Sequence, residues 1–214
     1  MVCKMNEEQI QNMKTGTTTV GIVCSDGIVL GADKKATMGY LVASKKVEKI
    51  KQLADHIAMT IAGVVGDALA LERYIKAELT LYKLREGRRI QVDAASQLIA
   101  NIMYSRRFYP YIVQLVVGGY DERPRLFSFA PDGSVLEEEE FYSSGSGSPM
   151  AFGVLENGYK KGMSMEEGKK LVAHAIRAAV QRDIASGGDG IDLVVIDSKG
   201  FRRIPKEEVE KHLK

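Results

Sequence analysis

The alternation of hydrophobic and polar residues predicts a β-hairpin near the start of the chain. Residues 18–25 alternate with a period of two and end in Asp26-Gly27, a pair typical of tight hairpin turns. Residues 28–34 form the expected return strand. Asp33, at the end of that strand, is therefore expected close to Thr17, where the first strand begins.

Two more strands and two helices are expected next. Residues 44–53 are dense in lysine, which is typical of an exposed edge strand, and residues 56–63 form an apolar strand. Beyond Asp67 the apolar residues recur at helical spacing as far as Gly87. A second helix is predicted from Val92 to Phe108.

In the second half of the chain, predicted strands are again followed by helices. Strands are predicted at residues 112–119, 125–129, 135–139, 191–197 and 201–204. A loop at residues 143–149 precedes a helix to about residue 159, with Ser148 as its N-cap and Pro149 as its first residue. A helix from Ser164 to about residue 186 makes Asp183 and Ser186 neighbours at its end, and residues 205–213 form a short closing helix.

Strands and helices are thus segregated along the chain. The order is strands, two helices, strands, two helices, strands and a closing helix. A doubly wound parallel sheet would need strands and helices that alternate one by one. The pattern therefore predicts an α+β fold in which antiparallel sheets are covered by helices.

Composition and charge exclude several classes of function. The 214 residues suit one domain, and 30 basic against 28 acidic residues give a net charge of +2, which provides no field for nucleic acid. The polar N-terminus lacks the apolar core of a secretion signal, and the most apolar stretch, residues 57–71, is too interrupted to span a membrane. We therefore expect a cytoplasmic protein that binds neither nucleic acid nor membrane.

Cysteine and histidine are too few for other common sites. The chain has Cys3 and Cys24 and three histidines, with no Cys-x-x-Cys. Loss of residues 1–16 would leave Cys24 alone, which excludes a disulfide within the remaining chain. A zinc site is not expected, and neither another metal nor a cofactor is.

The stretch Lys14-Thr15-Gly16-Thr17-Thr18-Thr19 offers a different chemistry. A threonine hydroxyl needs a base, and the α-amine of the same residue can serve once that residue is the N-terminus. Such an amine has a pKa of about 7.7–8.0, whereas an amide nitrogen is not basic. Residues 1–16 would then be a removable prosegment whose loss activates the chain. A threonine run is also an ordinary start of a strand, so these residues alone leave both interpretations open.

Several motifs together resemble one family. They are Gly16-Thr17-Thr18-Thr19-Val20-Gly21, Ala32-Asp33, Val47-Glu48-Lys49-Ile50, Ile61-Ala62-Gly63 with Gly66-Asp67, Ser144-Gly145-Ser146-Gly147-Ser148, and Gln181-Arg182-Asp183 with Ser186-Gly187-Gly188. In this order and spacing they resemble the β subunit of an archaeal-type proteasome core particle. The resemblance implies an N-terminal-nucleophile hydrolase domain over residues 17–214, folded as a four-layer αββα sandwich of two antiparallel sheets between helix layers.

The resemblance also implies a role for each site residue. Thr17 would be the nucleophile of a threonine endopeptidase after autocatalytic cleavage at Gly16-Thr17, and its amine the base. Lys49 would supply positive charge, held by Asp33, and the backbone N–H of Gly63 would stabilise the oxyanion. A polar support would surround the amine; its members are Ser146, Asp183 and Ser186.

Substrate and partners follow from the same resemblance. The first substrate pocket would be lined by Ala36, Val47, Lys51, Ile61, Val65 and Leu69. Mostly apolar walls suggest cleavage after hydrophobic residues, although Lys51 weakens that preference. The implied partners are other β subunits in seven-membered rings, proteasome α subunits, and unfolded polypeptides delivered by a regulatory ATPase.

Four alternative interpretations compete with this one. A catalytically silent ring subunit should lack Thr17, Asp33 or Lys49, and all three are present. A nucleotide-binding module at residues 145–148 would need a P-loop, and a serine hydrolase would need a Gly-x-Ser-x-Gly elbow; neither motif occurs. The bacterial two-component threonine hydrolases carry Gly-Asp-Gly where this chain has Gly31-Ala32-Asp33-Lys34, which favours the proteasome subunit.

Overall fold

The computed structural model describes residues 16–213, so the predicted prosegment lies outside the described residues except for Gly16. The strands are β1 (Thr19–Val23), β2 (Ile28–Asp33), β3 (Ala36–Met38), β4 (Leu41–Ser44), β5 (Ile50–Ala54), β6 (Ile57–Gly63), β7 (Val113–Tyr120), β8 (Pro124–Phe129), β9 (Val135–Glu138), β10 (Phe141–Ser144), β11 (Ile191–Asp197) and β12 (Gly200–Arg203). The helices are α1 (Val65–Glu86), α2 (Val92–Ser105), α3 (Ser148–Gly158), α4 (Met165–Arg182) and α5 (Lys206–His212).

These strands form two five-stranded sheets and one small hairpin. The first sheet has the order β10-β1-β2-β11-β12, the second has the order β5-β6-β7-β8-β9, and β3 pairs only with β4. Neighbouring strands run antiparallel in all three. The predicted α+β class with antiparallel sheets is confirmed.

Three apolar layers separate four layers of secondary structure. Leu71 of α1 and Ile99 of α2 pack on the outer face of the second sheet. Leu30 and Val116 belong to the layer between the two sheets. Ile176 of α4 packs on the outer face of the first sheet, as do residues of α3 and α5. The four-layer αββα sandwich is confirmed.

The β1–β2 hairpin follows the predicted register. Thr19 pairs with Ala32, which places Asp33 beside Thr18. A Cβ on Gly31 would lie 2.3 Å from the Val172 side chain, so this glycine lets α4 approach β2 closely. The hairpin therefore brings the ends of its two strands together beneath a helix.

The structure corrects several predicted boundaries. The lysine-rich stretch from residue 45 to residue 49 is not a strand; β5 begins at Ile50, and as predicted it is the edge of its sheet. Strand β10 occupies residues where a loop was expected from Ser143, because those residues pair with β1. Helix α2 ends at Ser105, before the predicted Phe108.

The ends of two further helices also differ from prediction. Gly147, not Ser148, is the N-cap of α3, and Pro149 is the second helical residue. Helix α4 ends at Arg182, so Asp183 and Ser186 lie in a turn beyond it. No helix within residues 16–213 is both long and apolar enough to cross a bilayer.

Candidate active site

Gly16 and Thr17 are buried just before the start of β1. Thr17 is only 3% exposed, and the Gly16 N–H donates to Thr37 Oγ1 at 3.2 Å. A Cβ on Gly16 would lie 1.7 Å from the Cβ of Ala185 and 2.7 Å from its Cα. The tight fit against the turn after α4 therefore requires a residue without a side chain at position 16.

Two donors converge on the carbonyl oxygen of Gly16. The Thr17 hydroxyl donates to it at 2.7 Å, and Lys49 Nζ lies 3.5 Å away. The bond between Gly16 and Thr17 thus carries a hydroxyl on one side and an ammonium close to its carbonyl oxygen. This arrangement polarises the carbonyl that a prosegment cleavage would attack.

Lys49 is held by a buried ion pair. Its Nζ lies 2.7 Å from Asp33 Oδ1, with 6% of the lysine side chain and none of the aspartate side chain exposed. Burial lowers the pKa of the Lys49 ammonium, and the adjacent Asp33 carboxylate offsets part of that effect. The carboxylate is itself fixed by three backbone N–H donors, those of Thr18 at 2.9 Å, Gly187 at 2.8 Å and Lys35 at 3.1 Å.

A second polar group surrounds the nitrogen of Thr17. That nitrogen donates to Ser146 Oγ at 3.3 Å, and Ser146 donates in turn to Asp183 Oδ2 at 2.5 Å. Ser186 donates to the same carboxylate oxygen at 2.6 Å and lies 2.7 Å from Thr18 Oγ1. The three predicted support residues therefore form one hydrogen-bonded chain that ends at Thr17.

Glycines let the Ser146 loop approach Thr17. Gly145 has φ +92°, and a Cβ there would lie 2.1 Å from the Thr17 carbonyl oxygen. A Cβ on Gly147 would lie 1.9 Å from Thr18 Oγ1, and the Gly147 N–H donates to the Thr17 carbonyl at 3.3 Å. Close approach to β1 accounts for both glycines and for the position of Ser146.

Gly63 ends β6 in a conformation that side chains rarely adopt. Its φ is +128°, and a Cβ would lie 2.2 Å from the carbonyl oxygen of Ile112. Gly63 lines the same cavity as Thr17 and Lys49. Its backbone can therefore come close to a molecule bound beside Thr17.

This first cavity, of about 200 Å³, contains every residue predicted for the substrate pocket. The predicted members are Ala36, Val47, Lys51, Ile61, Val65 and Leu69. Three lining residues were not predicted, namely Lys35, Glu48 and Ala68. Helical spacing offered a signal for Ala68, because it lies between Val65 and Leu69 on the same face of α1.

Glu72, which the sequence analysis did not predict, alters the electrostatics of this cavity through Lys51. Glu72, one turn beyond Ala68 on α1, lies 4.0 Å from Lys51 Nζ and 2.7 Å from Lys76 Nζ. Lys51 is therefore a partner in an ion pair, which reduces its effect as a positive charge in the pocket.

The histidines and one carboxylate cluster lie in other contacts. His56 Nε2 is 2.8 Å from the Ile90 carbonyl, and His174 Nε2 is 2.9 Å from the His212 carbonyl, so neither contact resembles a serine–histidine pair. Glu166, Glu208 and His212 are close enough to hold a metal ion within the described part of the chain. Lys169 Nζ lies 2.5 Å from both carboxylates, and this ammonium already supplies the positive charge there.

Known proteins similar to this chain identify its family. A family model for proteasome subunits matches residues 13–196. The proteasome subunit beta of Methanoregula boonei is 48% identical over 207 residues, which cover 96% of this chain and 97% of that protein. Proteasome subunit beta of Methanocaldococcus jannaschii is 49% identical over 92% of this chain and 89% of its own length. Proteasome subunit beta 1 of Thermococcus onnurineus is 48% identical over 93% of this chain and 97% of its own length. The chain therefore belongs to the proteasome subunit family, as a β subunit of the archaeal type.

Proposed function

We propose that Thr17 is the nucleophile with which this proteolytic β subunit hydrolyses peptide bonds, and that the chain is made as a zymogen. The observation that carries the proposal is the convergence of Thr17 Oγ1 and Lys49 Nζ on the Gly16 carbonyl oxygen, at 2.7 Å and 3.5 Å. A hydroxyl and an ammonium at one carbonyl supply both an attacking atom and a charge that stabilises the product of attack.

Removal of the prosegment is the first reaction in this scheme. Thr17 Oγ1 adds to the Gly16 carbonyl carbon and loses its proton to solvent, while Lys49 stabilises the negative charge on the carbonyl oxygen. The carbon–nitrogen bond then breaks, the Thr17 nitrogen takes up a proton, and Gly16 is left as an ester on Thr17 Oγ1. Water hydrolyses that ester, which releases residues 1–16 and leaves a free amine at Thr17.

Peptide hydrolysis follows with the new amine as the base. The amine takes the proton of Thr17 Oγ1 as the oxygen attacks the peptide carbonyl, and it returns a proton to the leaving amine when the bond breaks. We assign the backbone N–H of Gly63 to the developing oxyanion. Water then attacks the ester with the same amine as its base, and the acyl part leaves as a carboxylic acid.

The surrounding side chains have supporting roles in this scheme. Asp33 keeps Lys49 charged and in position, because it is fully buried and held by backbone donors. Ser146, Asp183 and Ser186 orient the amine, since the Thr17 nitrogen already donates to Ser146. Ser146, Lys49 and Asp33 make these contacts while Gly16 is still attached, which supports an activation that requires little rearrangement.

The first cavity supports cleavage after hydrophobic residues. Apolar side chains of Ala36, Val47, Ile61 and Leu69 line it, together with Val65. The positive charge of Lys51 has a weaker effect in this cavity because the Glu72 carboxylate pairs with it. We therefore infer that a hydrophobic side chain preceding the cut enters this cavity.

The family supports a place for the chain in the proteasome core together with α subunits. We propose that the β subunits form seven-membered rings and that a regulatory ATPase delivers unfolded polypeptides to them. Enclosure of Thr17 in such a ring would keep folded proteins away from it.

The test compares particles that contain wild-type chain, Thr17→Ala, Thr17→Ser or the matched control Thr80→Ala. Thr80 is an exposed threonine on α1 whose hydroxyl donates only to the Lys76 carbonyl among the described contacts. Intact mass reports loss of residues 1–16, and a fluorogenic hydrophobic peptide reports cleavage. Thr17→Ala should retain the prosegment and lose activity, whereas Thr17→Ser and Thr80→Ala should keep both. Active wild-type particles that carry residues 1–16 on every copy would refute the proposal.

A further inference from the structure

Three buried hydroxyl groups meet between the two five-stranded sheets. Thr60 Oγ1 of β6 donates to Thr19 Oγ1 of β1 at 3.0 Å. Thr19 Oγ1 also lies 2.7 Å from Ser144 Oγ of β10, and either of these two hydroxyls can be the donor. Thr19 and Thr60 are fully buried, and Ser144 is 3% exposed. None of the roles assigned above uses this hydroxyl cluster of Thr19, Thr60 and Ser144.

The hydroxyl cluster connects one sheet to the other. Thr19 and Ser144 pair within the first sheet, whereas Thr60 belongs to the second. The layer between the sheets also contains fully buried apolar side chains, among them Ala58 and Val116. Apolar contact is non-directional, but a hydrogen bond weakens steeply away from its preferred geometry. The bond from Thr60 to Thr19 therefore fixes the offset between the sheets more strictly than the apolar contacts do.

On the first sheet, the hydroxyl cluster lies next to the nucleophile and its support. Thr19 follows Thr17 by two residues, and Ser144 precedes Ser146 by two. The side chains of Thr19 and Ser144 are therefore anchored close to the two residues whose hydrogen bond orients the Thr17 nitrogen. A shift of these two strands against the second sheet would carry Thr17 and Ser146 with it.

On the second sheet, Thr60 lies between the segments that carry Lys49 and Gly63. Thr60 pairs with Ile50, the residue after Lys49, and the Lys49 carbonyl accepts the Ile61 N–H at 3.0 Å. Gly63 ends the same strand three residues beyond Thr60. The position of the Gly63 backbone relative to the first sheet therefore depends on how β6 is held at Thr60.

We propose that Thr60 is a positioning residue, which sets the distance between Thr17 and the backbone N–H of Gly63 through its hydrogen bond to Thr19. This inference rests on the proposed function, because it takes Thr17 as the nucleophile and Gly63 as the oxyanion donor. None of the three hydroxyl residues is among the described residues that line the first cavity. The hydroxyl cluster therefore acts on the reaction through Thr17 and Gly63, without touching the substrate.

Stability alone does not require hydroxyl groups at these positions. A buried hydrogen bond adds little net stability, because both groups bind water in the unfolded chain. Apolar side chains of the same shape can replace a bonded pair almost without loss of stability, whereas removal of one partner leaves the other unpaired. A positioning role and a stabilising role can therefore be separated by comparing a single variant with one that removes the whole hydroxyl cluster.

The experiment measures kcat and KM of assembled particles with a fluorogenic hydrophobic peptide, per processed copy as counted by intact mass. Thr60→Val keeps the shape of threonine without its hydroxyl. Its kcat should fall on the order of 100-fold, the effect of displacing reacting groups by about 1 Å. KM should change little, because the residues that line the first cavity are unchanged. Thr60→Ser retains a hydroxyl and should retain kcat.

The triple variant Thr19→Val/Thr60→Val/Ser144→Ala separates positioning from stability. It leaves no hydroxyl of the cluster unpaired, so its Tm should be at least as high as that of Thr60→Val. Its kcat should nevertheless stay as low as that of Thr60→Val, because the hydrogen bond between the sheets is still absent. The triple variant also provides the measurement if Thr60→Val assembles poorly.

Ser128→Ala is the matched control. Ser128 is 6% exposed and lies in the same row of the second sheet as Thr60, because Val116 pairs with both. Its hydroxyl donates to Glu138 of its own sheet at 2.6 Å and makes no described bond to the first sheet. Ser128→Ala should therefore leave kcat unchanged.

The outcomes separate this inference from the proposed function. Wild-type kcat in Thr60→Val or in the triple variant, or an effect on KM alone, would overturn the positioning role. An equal loss of kcat in Thr60→Ser and Thr60→Val would overturn it too, because the hydroxyl would then have no part in the effect. Thr17→Ala particles should be inactive in the same assay, and cleavage by them would instead overturn the proposed nucleophile.

Discussion

At the scale of single residues, Gly16 fits a space that no other residue can occupy. A Cβ there would lie 1.7 Å from the Ala185 Cβ, so alanine must move either the carbonyl of residue 16 or the turn that carries Ala185. Displacing reacting groups by about 1 Å costs on the order of 100-fold in rate. Gly16→Ala should therefore slow prosegment removal to this extent, measured as the time course of intact mass during assembly.

The double variant Gly16→Ala/Ala185→Gly tests whether slow prosegment removal in Gly16→Ala has a steric cause. Ala185→Gly removes the Cβ that lies nearest, although the Ala185 Cα at 2.7 Å remains. Ala185→Gly should therefore restore part of the processing rate in Gly16→Ala and have little effect alone. Equal processing rates for Gly16→Ala and wild type would show that the described fit does not govern the cleavage.

The buried Lys49–Asp33 pair predicts a dependence of activity on pH. Burial lowers the pKa of Lys49, so the ammonium loses its proton at a lower pH than an exposed lysine, whose pKa is ~10.4. The proposed mechanism needs the charged form, and kcat/KM should therefore fall on the alkaline side at a lower pH than the pKa of an exposed lysine would give. Asp33→Asn removes the charge that partly offsets burial, and it should shift this fall to lower pH.

A matched aspartate serves as control for the pH profile. Asp55, whose side chain is 89% exposed, pairs only loosely with Lys83 at 3.7 Å, and Asp55→Asn should leave the profile in place. An alkaline fall at the same pH in Asp33→Asn and wild type would mean that Lys49 does not set it. Pre-steady-state rates of peptide bond cleavage are the appropriate measurement, because product release can mask the chemical step.

At the scale of elements, the loop between β10 and α3 places Ser146 against Thr17. Gly145 has φ +92° and would bring a Cβ within 2.1 Å of the Thr17 carbonyl, so Gly145→Ala must push the loop away from β1. The hydrogen bond from the Thr17 nitrogen to Ser146 should then be lost. We expect a loss of peptidase activity of about 100-fold, the lower end of what general acid–base catalysis contributes.

A second glycine separates this effect from a general loss of stability. Gly153 lies within α3, and a Cβ there would meet nothing within 4 Å. Gly153→Ala should therefore raise the free energy of unfolding by up to about 1 kcal/mol and leave activity unchanged. Full activity in Gly145→Ala would show that Ser146 does not need its position against Thr17.

The sequence pattern predicted the elements whose signals are local. The β1–β2 hairpin has its Asp26-Gly27 turn, and α1 ends at Glu86, where Gly87 caps it in the left-handed conformation with φ +66°. Strand β10 was missed because its buried serines read as a loop and its partner, β1, is distant in sequence. Ser148 was wrongly predicted as a cap because Gly147 fills that position to meet Thr18.

The candidate site residues are predicted mainly from the resemblance of short motifs. The sequence contains no such motif for contacts that are made by backbone atoms or by helices distant along the chain. Glu72 was missed because its link to Lys51 depends on how α1 packs on β5, and the role of Ala185 depends on a turn against Gly16. Such contacts follow only from the packed structure.

At the scale of the whole molecule, the segments that hold Gly16 and Thr17 also face outward. Thr37, which accepts the Gly16 N–H, lies on the β3–β4 hairpin, whose Tyr40 is fully exposed. Ile184, next to Ala185, is 80% exposed, and its carbonyl accepts from Lys35 Nζ. The same hairpin also exposes Met38, Leu41 and Val42, and such a cluster of exposed apolar side chains marks an interaction surface, so a neighbouring subunit is well placed to fix the site.

Peptidase activity should therefore depend on assembly as well as on the free amine. A chain that begins at Thr17, released from an N-terminal fusion, separates these two requirements because its amine is free before any ring forms. Size-exclusion fractions should show at least about tenfold lower activity per subunit in the monomer than in particles formed with α subunits, because misplaced catalytic groups lose on the order of 10²-fold in rate. Tyr40→Ser, which removes an exposed aromatic side chain without touching the cavity residues, should lower the assembled fraction but not the activity of the particles that form. A monomer that cleaves the peptide as fast as the assembled particle would show that the isolated fold already holds Thr17, Lys49 and Ser146 in their working positions.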